Sequence, residues 1–168
     1  WPLNFEVEGE IVECQGLITS QSSRDYRNRL PTEIRKLAPR AFDIFGDIAI
    51  IKLPDEISEF SGLIAKALIA SNPNISKVAQ DLGVGGQYRI RKLELIGGEP
   101  SFVSVHRENG MVFKLDISKV YFSPRLATER ERVSNLVVPG EKILDAFAGA
   151  APFSVTLARK GGRVTAVD

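Results

Sequence analysis

The sequence predicts an α/β protein in two unequal parts, a mixed α+β domain followed by the first β-α-β unit of a Rossmann-like sheet. Two observations carry this. Lys142–Asp168 reads KILDAFAGAAPFSVTLARKGGRVTAVD: an apolar strand, a small-residue turn, a helix, and a second strand ending in an acid. Upstream, residues 21–117 alternate strand-like and helix-like patterns, including two alternating runs that flank Glu108-Asn109-Gly110, a hairpin signal. A doubly wound sheet needs several more strand–helix units, and parallel strands hold only when both faces are covered. With two such strands, and Trp1 rather than Met at the start, the sequence reads as a truncated piece of a longer protein. The expected division is 1–20 as an N-terminal remnant, 21–118 as the mixed α+β domain, and 119–168 as the opening of a nucleotide-binding domain.

Residues 1–20 are poorly patterned, with one short strand expected at Gly9–Glu13. Pro31-Thr32 opens a helix that runs through Ala38. Phe42–Leu53 alternates on both sides of Gly46-Asp47 and predicts two strands joined by a tight turn. Asp55 is placed to cap a helix over Glu56–Ala70, whose stripe is Ile57, Phe60, Ile64, Ala65 and Leu68. Asn72-Pro73-Asn74 ends it. Lys77–Leu82 is a short strand, Gly83–Gly86 a loop, and Tyr88–Ile96 a half-buried strand. The hairpin strands are Phe102–Arg107 and Met111–Ile117. Ser123-Pro124 starts a further helix, serine as cap and proline in the first turn, with Leu126, Val133, Leu136 and Val137 as its apolar face and Pro139-Gly140 as its stop.

Composition bounds the function classes. At 43% hydrophobic over 168 residues the chain can bury one good core, and no apolar run approaches the ~20 residues of a membrane span. The single cysteine, Cys14, excludes an internal disulfide framework and suits a cytoplasmic setting. With His106 as sole histidine, no ordinary zinc site is expected. Net charge is +1, so global charge does not announce a nucleic-acid partner. The distribution says more: Arg24, Arg27, Arg29, Arg35, Lys36 and Arg40 form one basic stretch, Arg89, Arg91 and Lys92 another. Such runs are also what a solvated face looks like.

The C-terminal unit suggests a ligand. Ala148, Gly149, Ala150 and Ala151 present almost no side chain, so backbone can approach a ligand closely. Asp168 lies about 20 residues on, where an acid accepts ribose hydroxyls. The turn lacks G-x-G-x-x-G, which argues against a dinucleotide. Asp145, at the strand end, can meet an ammonium group and fits S-adenosyl-L-methionine better.

KVYFSPRLATERERV (Lys119–Val133) followed by ILDAFAGAAPFSV resembles the archaeal and eukaryotic tRNA (guanine-37 N1)-methyltransferases, the Trm5 family. Gln87–Glu94 and His106–Gly110 match that family's middle domain, so the resemblance spans roughly 25–168. It implies a middle RNA-docking domain and the start of a class I methyltransferase domain, with tRNA, through its anticodon stem-loop, and S-adenosyl-L-methionine as partners, and a monomeric enzyme. Position by position it implies Glu129 as general base, Arg89 as the guanine-facing cation and Tyr121 as pocket wall. Arg130 is implied as a cofactor contact, and Phe147 and Asp168 as adenosine contacts beside Asp145, Ala148 and Gly149. Arg24, Arg27, Arg29, Arg91 and Arg125 are the expected RNA contacts. One departure is Ala151, where the family commonly has glycine before proline; alanine disfavours positive φ.

The chemistry is consistent with those roles. Guanine N1 carries a proton at neutral pH, so a carboxylate within reach must take it as the methyl arrives. Charge then grows toward O6, where an arginine stabilises it. The bland alternative for Glu129 is a helix-surface carboxylate paired with Arg125 or Arg132. Rival functions are the wybutosine-pathway aminocarboxypropyl transferase, a bifunctional methyltransferase acting also on a wybutosine precursor, and a docking module without chemistry of its own.

Overall fold

The structure, a computed structural model, describes residues 25–85 and 90–168. Its centre is a four-stranded sheet of order β1-β2-β3-β4: β1 Asp43–Phe45, β2 Ile48–Ile51, β3 Lys77–Gly85 and β4 Ile90–Gly98. β1 and β2 are antiparallel, with Ile44 opposite Ala49. Their turn needs Gly46, at φ +56, where a Cβ would run into Ser104 Oγ and the Val105 backbone. β2 and β3 are parallel and therefore need a crossover, which a 3-10 turn at Asp55–Phe60 and helix α2 (Ser61–Ser71) supply. Helix α1 (Thr32–Leu37) precedes the sheet.

All four residues of β2 are buried because both sheet faces are covered. Ala49 and Ile51 share one core with Ile64, Ala65 and Leu68 of α2 and with Tyr26 and Ile34. Ile48 and Ile50 share the other with Phe45, Met111, Phe113 and Phe122. That second cover is the antiparallel hairpin of β5 (Val103–Glu108) and β6 (Met111–Asp116). The layers are thus helix, sheet, hairpin.

Some local expectations fail for identifiable reasons. β3 runs on through Gly83–Gly85, read from sequence as loop. A register break between Asp81 and Val84, with Gly83 at φ +94, lets the strand bulge and continue. Asp55 makes no side-chain cap, and α2 begins only at Ser61. The 3-10 turn takes Phe60 off the buried stripe, leaving it 38% exposed. The strand expected at Gly9–Glu13, Arg24, and the segment Gly86–Arg89 lie outside the described residues.

Beyond the hairpin, a 3-10 turn (Pro124–Leu126) leads into helix α3 (Ala127–Ser134), with no cap from the Ser123 side chain. α3 ends before Pro139-Gly140, and its buried residues are Arg130 and Ser134 rather than the expected apolar face; Leu136 is 67% exposed. Strand β7 (Lys142–Asp145), helix α4 (Pro152–Arg159) and strand β8 (Arg163–Ala166) form the expected unit, with β7 and β8 parallel. The hairpin tip ties this unit to the rest. Asn109 and Gly110 turn with φ 47° and 73°, Arg159 donates to the Asn109 carbonyl at 2.6 Å, and Asn109 Nδ2 donates to the Ala127 carbonyl at 3.2 Å.

Candidate functional site

Beside β1 and β2 lies a cleft of about 330 Å³ whose polar lining includes Asp43, Lys52, Asp81, Arg91, Tyr121 and Arg125. The sheet positions three of these, Asp43, Asp81 and Arg91, and Lys52 directly follows β2. Tyr121 arrives on the segment before α3 and Arg125 in the 3-10 turn that follows it, held there because Phe122 between them is buried against Phe45 and Phe113. Arg125 Nε donates to Asp43 Oδ1 at 2.5 Å. Arg91 Nε lies 3.3 Å from Asp81 Oδ2, and its guanidinium stands 6.0 Å from the centre of the Tyr121 ring. The Tyr121 ring is otherwise open, at 67% exposure. Three residues singled out from sequence, Arg91, Tyr121 and Arg125, therefore share one cleft. Asp43, Asp81 and Lys52 were not anticipated. Asp43 is separated from Arg125 by 82 positions, and no local pattern announces such a pair. A larger, shallower groove of about 970 Å³ beside the hairpin contains none of the expected residues.

Glu129 is not part of the cleft lining. It points from α3 toward Arg132, which donates to it at 2.8 and 2.7 Å. That hydrogen-bonded guanidinium holds the Glu129 carboxyl below its ordinary pKa, so the group is ionised at neutral pH. This is the surface pairing named above as the bland alternative.

Arg130 requires a correction. Read as a cofactor contact, it is 1% exposed. It forms a bidentate pair with Glu108 of β5, Nε–Oε1 2.5 Å and Nη2–Oε2 2.6 Å, and also donates to the Ser123 carbonyl at 3.1 Å. Phe122 stacks near its guanidinium at 4.8 Å, and His106 reaches Glu108 at 3.1 Å. A ligand has no access to a side chain so enclosed; Arg130 ties α3 to the hairpin. The first basic stretch is likewise engaged. Asp25 accepts from Arg27 at 2.9 and 2.5 Å, Arg29 donates to Ser71 Oγ at 3.0 Å, and Arg35 donates to the carbonyls of Arg27, Asn28 and Leu30.

The β7–α4 turn has the form expected of a cofactor site. Asp145 ends β7 and accepts a hydrogen bond from Ser154 Oγ of α4 at 2.6 Å, which fixes its carboxylate at the mouth of the turn. Gly149 has φ +52, and nothing lies within 4 Å of where its Cβ would be, so backbone is open to an incoming group. Phe147 is 92% exposed and Asp168 is exposed. Ala151 sits at φ 57°, in the left-handed region that glycine favours, immediately before Pro152.

Residues 104–168 match the TRM5/TYW2 methyltransferase domain and residues 26–101 the TYW2 N-terminal domain. The tRNA (guanine(37)-N(1))-methyltransferase Trm5b of Pyrococcus abyssi is 43% identical over 99% of this chain and 52% of its own length. The tRNA (guanine(37)-N(1))-methyltransferase of Coprinopsis cinerea is 35% identical over 83% of this chain and 31% of its own. The crystal structure of Pyrococcus abyssi Trm5b superposes with a TM-score of 0.78 (41% identity, 98% of this chain, 51% of that one). The complex of aTrm5 with tRNALeu gives 0.77 (30%, 99% and 50%). Methanocaldococcus jannaschii Trm5 with adenosine gives 0.70 (31%, 98% and 48%). The chain spans about half the length of these archaeal relatives. In sequence and in fold, then, it belongs to the Trm5 family of tRNA (guanine-37 N1)-methyltransferases.

Proposed function

We propose that this chain supplies the RNA-docking part and the cofactor turn of an S-adenosyl-L-methionine-dependent methyltransferase acting on N1 of guanosine 37 in tRNA. The observation that carries the reading is the co-occurrence, in one chain related end to end to Trm5b, of the Arg91–Tyr121–Arg125 cleft and the Asp145–Gly149 turn. A Trm5 solved with adenosine supports the cofactor class, and one solved with tRNALeu supports the RNA partner. The enzyme is read as a cytoplasmic monomer engaging the anticodon stem-loop; no described helix is long and apolar enough to cross a membrane.

The individual roles are those that the family resemblance implies. Asp145 would hold the cofactor's ammonium group, Phe147 and Asp168 its adenosine, and the Ala148–Gly149 backbone would lie against it. When bound, S-adenosyl-L-methionine supplies an electrophilic methyl group. Tyr121 would wall the guanine pocket, and Arg89, which lies outside the described residues, is the proposed cation for O6, where charge develops. Glu129 takes the N1 proton. Its ionised state suits an acceptor, but Arg132 occupies both carboxylate oxygens, so productive RNA binding must draw Glu129 away from that partner. The related aminocarboxypropyl transfer is the second reading, favoured by the match of residues 26–101 to the TYW2 N-terminal domain.

The test places this chain in Pyrococcus abyssi Trm5b in exchange for the matching segment. Single-turnover methylation of tRNA at guanosine 37 is expected. Glu129→Gln should slow it by ~10²–10⁴, the size of a general-base contribution, with tRNA affinity little changed. A near-normal rate removes Glu129 from the mechanism, and a product carrying an aminocarboxypropyl group instead of methyl selects the second reading.

A further inference from the structure

The cleft holds its cations in an unusual way for a surface that meets RNA. Of Lys52, Arg91 and Arg125, two are already paired with carboxylates. Arg125 is 68% exposed along its side chain, whereas Asp43 is 21% exposed and anchored on β1. The acid is therefore the fixed member and the arginine the movable one. Asp43 Oδ1 meets the guanidinium at Nε, one of the donors that a phosphate oxygen would take. Asp43 thus occupies, on a rigid strand, a place that an RNA phosphate would have to claim.

Resting on the docking function proposed above, we infer that Asp43 is a specificity-determining residue of this cleft. It stands in for a phosphate at Arg125 and so weakens binding of any polyanion that cannot offer a replacement in the same geometry. The physical basis is a balance of exchanges. An exposed arginine–carboxylate pair is held weakly, so a well-placed phosphate displaces it with little loss. A flexible strand that cannot place a phosphate there meets an uncompensated carboxylate and gains nothing from Arg125. Discrimination by repulsion toward the wrong partner does not need tighter contact with the right one. Lys52, with no ion-pair partner among the described residues, then supplies general attraction, and Arg125 supplies selection.

The experiment uses the 168-residue chain, with an anticodon stem-loop RNA and an oligouridylate of equal length as probes, titrated by fluorescence anisotropy across a range of salt. Asp43→Asn should tighten oligouridylate binding three- to tenfold and steepen its salt dependence by about one phosphate contact, with a smaller gain for the stem-loop. The ratio of the two affinities should fall. Asp55→Asn, which removes one exposed acid outside the cleft, should leave the ratio unmoved. In an Arg125→Ala background Asp43→Asn should have no remaining effect on the ratio, and thermal melts establish that each variant is folded. An unchanged or weakened oligouridylate affinity in folded Asp43→Asn overturns the role of Asp43 alone. Absence of RNA binding by the unmodified chain overturns the docking function as well.

Discussion

At the scale of single residues, two side chains have energetic consequences of opposite sign. Ala151 holds φ 57° at the entrance to α4, where a Cβ crowds the adjoining carbonyl. Ala151→Gly should therefore stabilise the chain by about 1 kcal/mol, read as an increase in the urea midpoint at constant slope. A fall in midpoint would mean that the freedom glycine adds to the unfolded chain outweighs the relieved strain. Asp47 behaves differently. Burial pushes its pKa up, but hydrogen bonds from Ser104, Ser76 and Lys77 outweigh this and hold it below the ordinary 3.8. A group depressed in the folded state stabilises above its unfolded pKa, and that contribution drains away as pH falls through the folded value. Asp47→Asn should thus be less stable than the parent at pH 7, with the gap closing below pH 3.8. Parallel melts at the two pH values check this, and a gap constant with pH would assign the loss to geometry. The departure at Ala151 was legible through the family resemblance, where glycine, at ease at positive φ, commonly stands. The hydrogen bonds to Asp47 were not, since Ser104 is 57 positions away.

At the scale of elements, α3 is the instructive case. Its sequence suggested an apolar face of leucines and valines, yet it docks through Arg130 and Ser134. A buried arginine is tolerable only with its charge and donors satisfied, and Glu108 at the end of β5 meets that requirement. Removing one partner leaves the other charged and dry. Glu108→Ala should therefore cost about 3–5 kcal/mol of stability by urea unfolding, whereas Glu108→Leu combined with Arg130→Met should recover most of it. If the double variant were as unstable as the single one, the hydrogen bond to Ser123 rather than the ion pair would be what α3 depends on. The hairpin was clear from Asn109-Gly110. Its tip against Arg159 and Ala127 was not, because turn chemistry specifies the bend and says nothing about what the bend touches.

At the scale of the whole molecule, the sheet of β1–β4 is covered on both faces, whereas β7 carries exposed Leu144 (66%), with Phe147 (92%) in the turn after it and Val167 (53%) just past β8. Neither the described cleft nor the larger groove is lined by Asp145, Phe147, Gly149 or Asp168. The proposed cofactor turn is thus open rather than enclosed, and enclosure supplies most of a small ligand's buried surface. Calorimetry of the 168-residue chain with S-adenosyl-L-methionine should detect no binding at micromolar concentrations, and no methyl transfer to tRNA should accompany it. Turnover by this chain alone would show that the open turn suffices.

The sequence by itself determined the local grammar: the β7–turn–α4–β8 unit, the hairpin, and through its motifs the family. Each rests on residues adjacent in the chain, where period, turn chemistry and small side chains act directly. Tertiary structure decided which charges meet. Asp43 with Arg125 and Glu108 with Arg130 join residues on different elements, far apart in sequence, and Asp81 meets Arg91 across two paired strands. A cation's sequence neighbourhood is the same whether it faces water, a carboxylate or an RNA phosphate. Only the packing of hairpin, sheet and α3 brings in the partner that turns Arg130 into structure and leaves Arg125 exposed at the cleft.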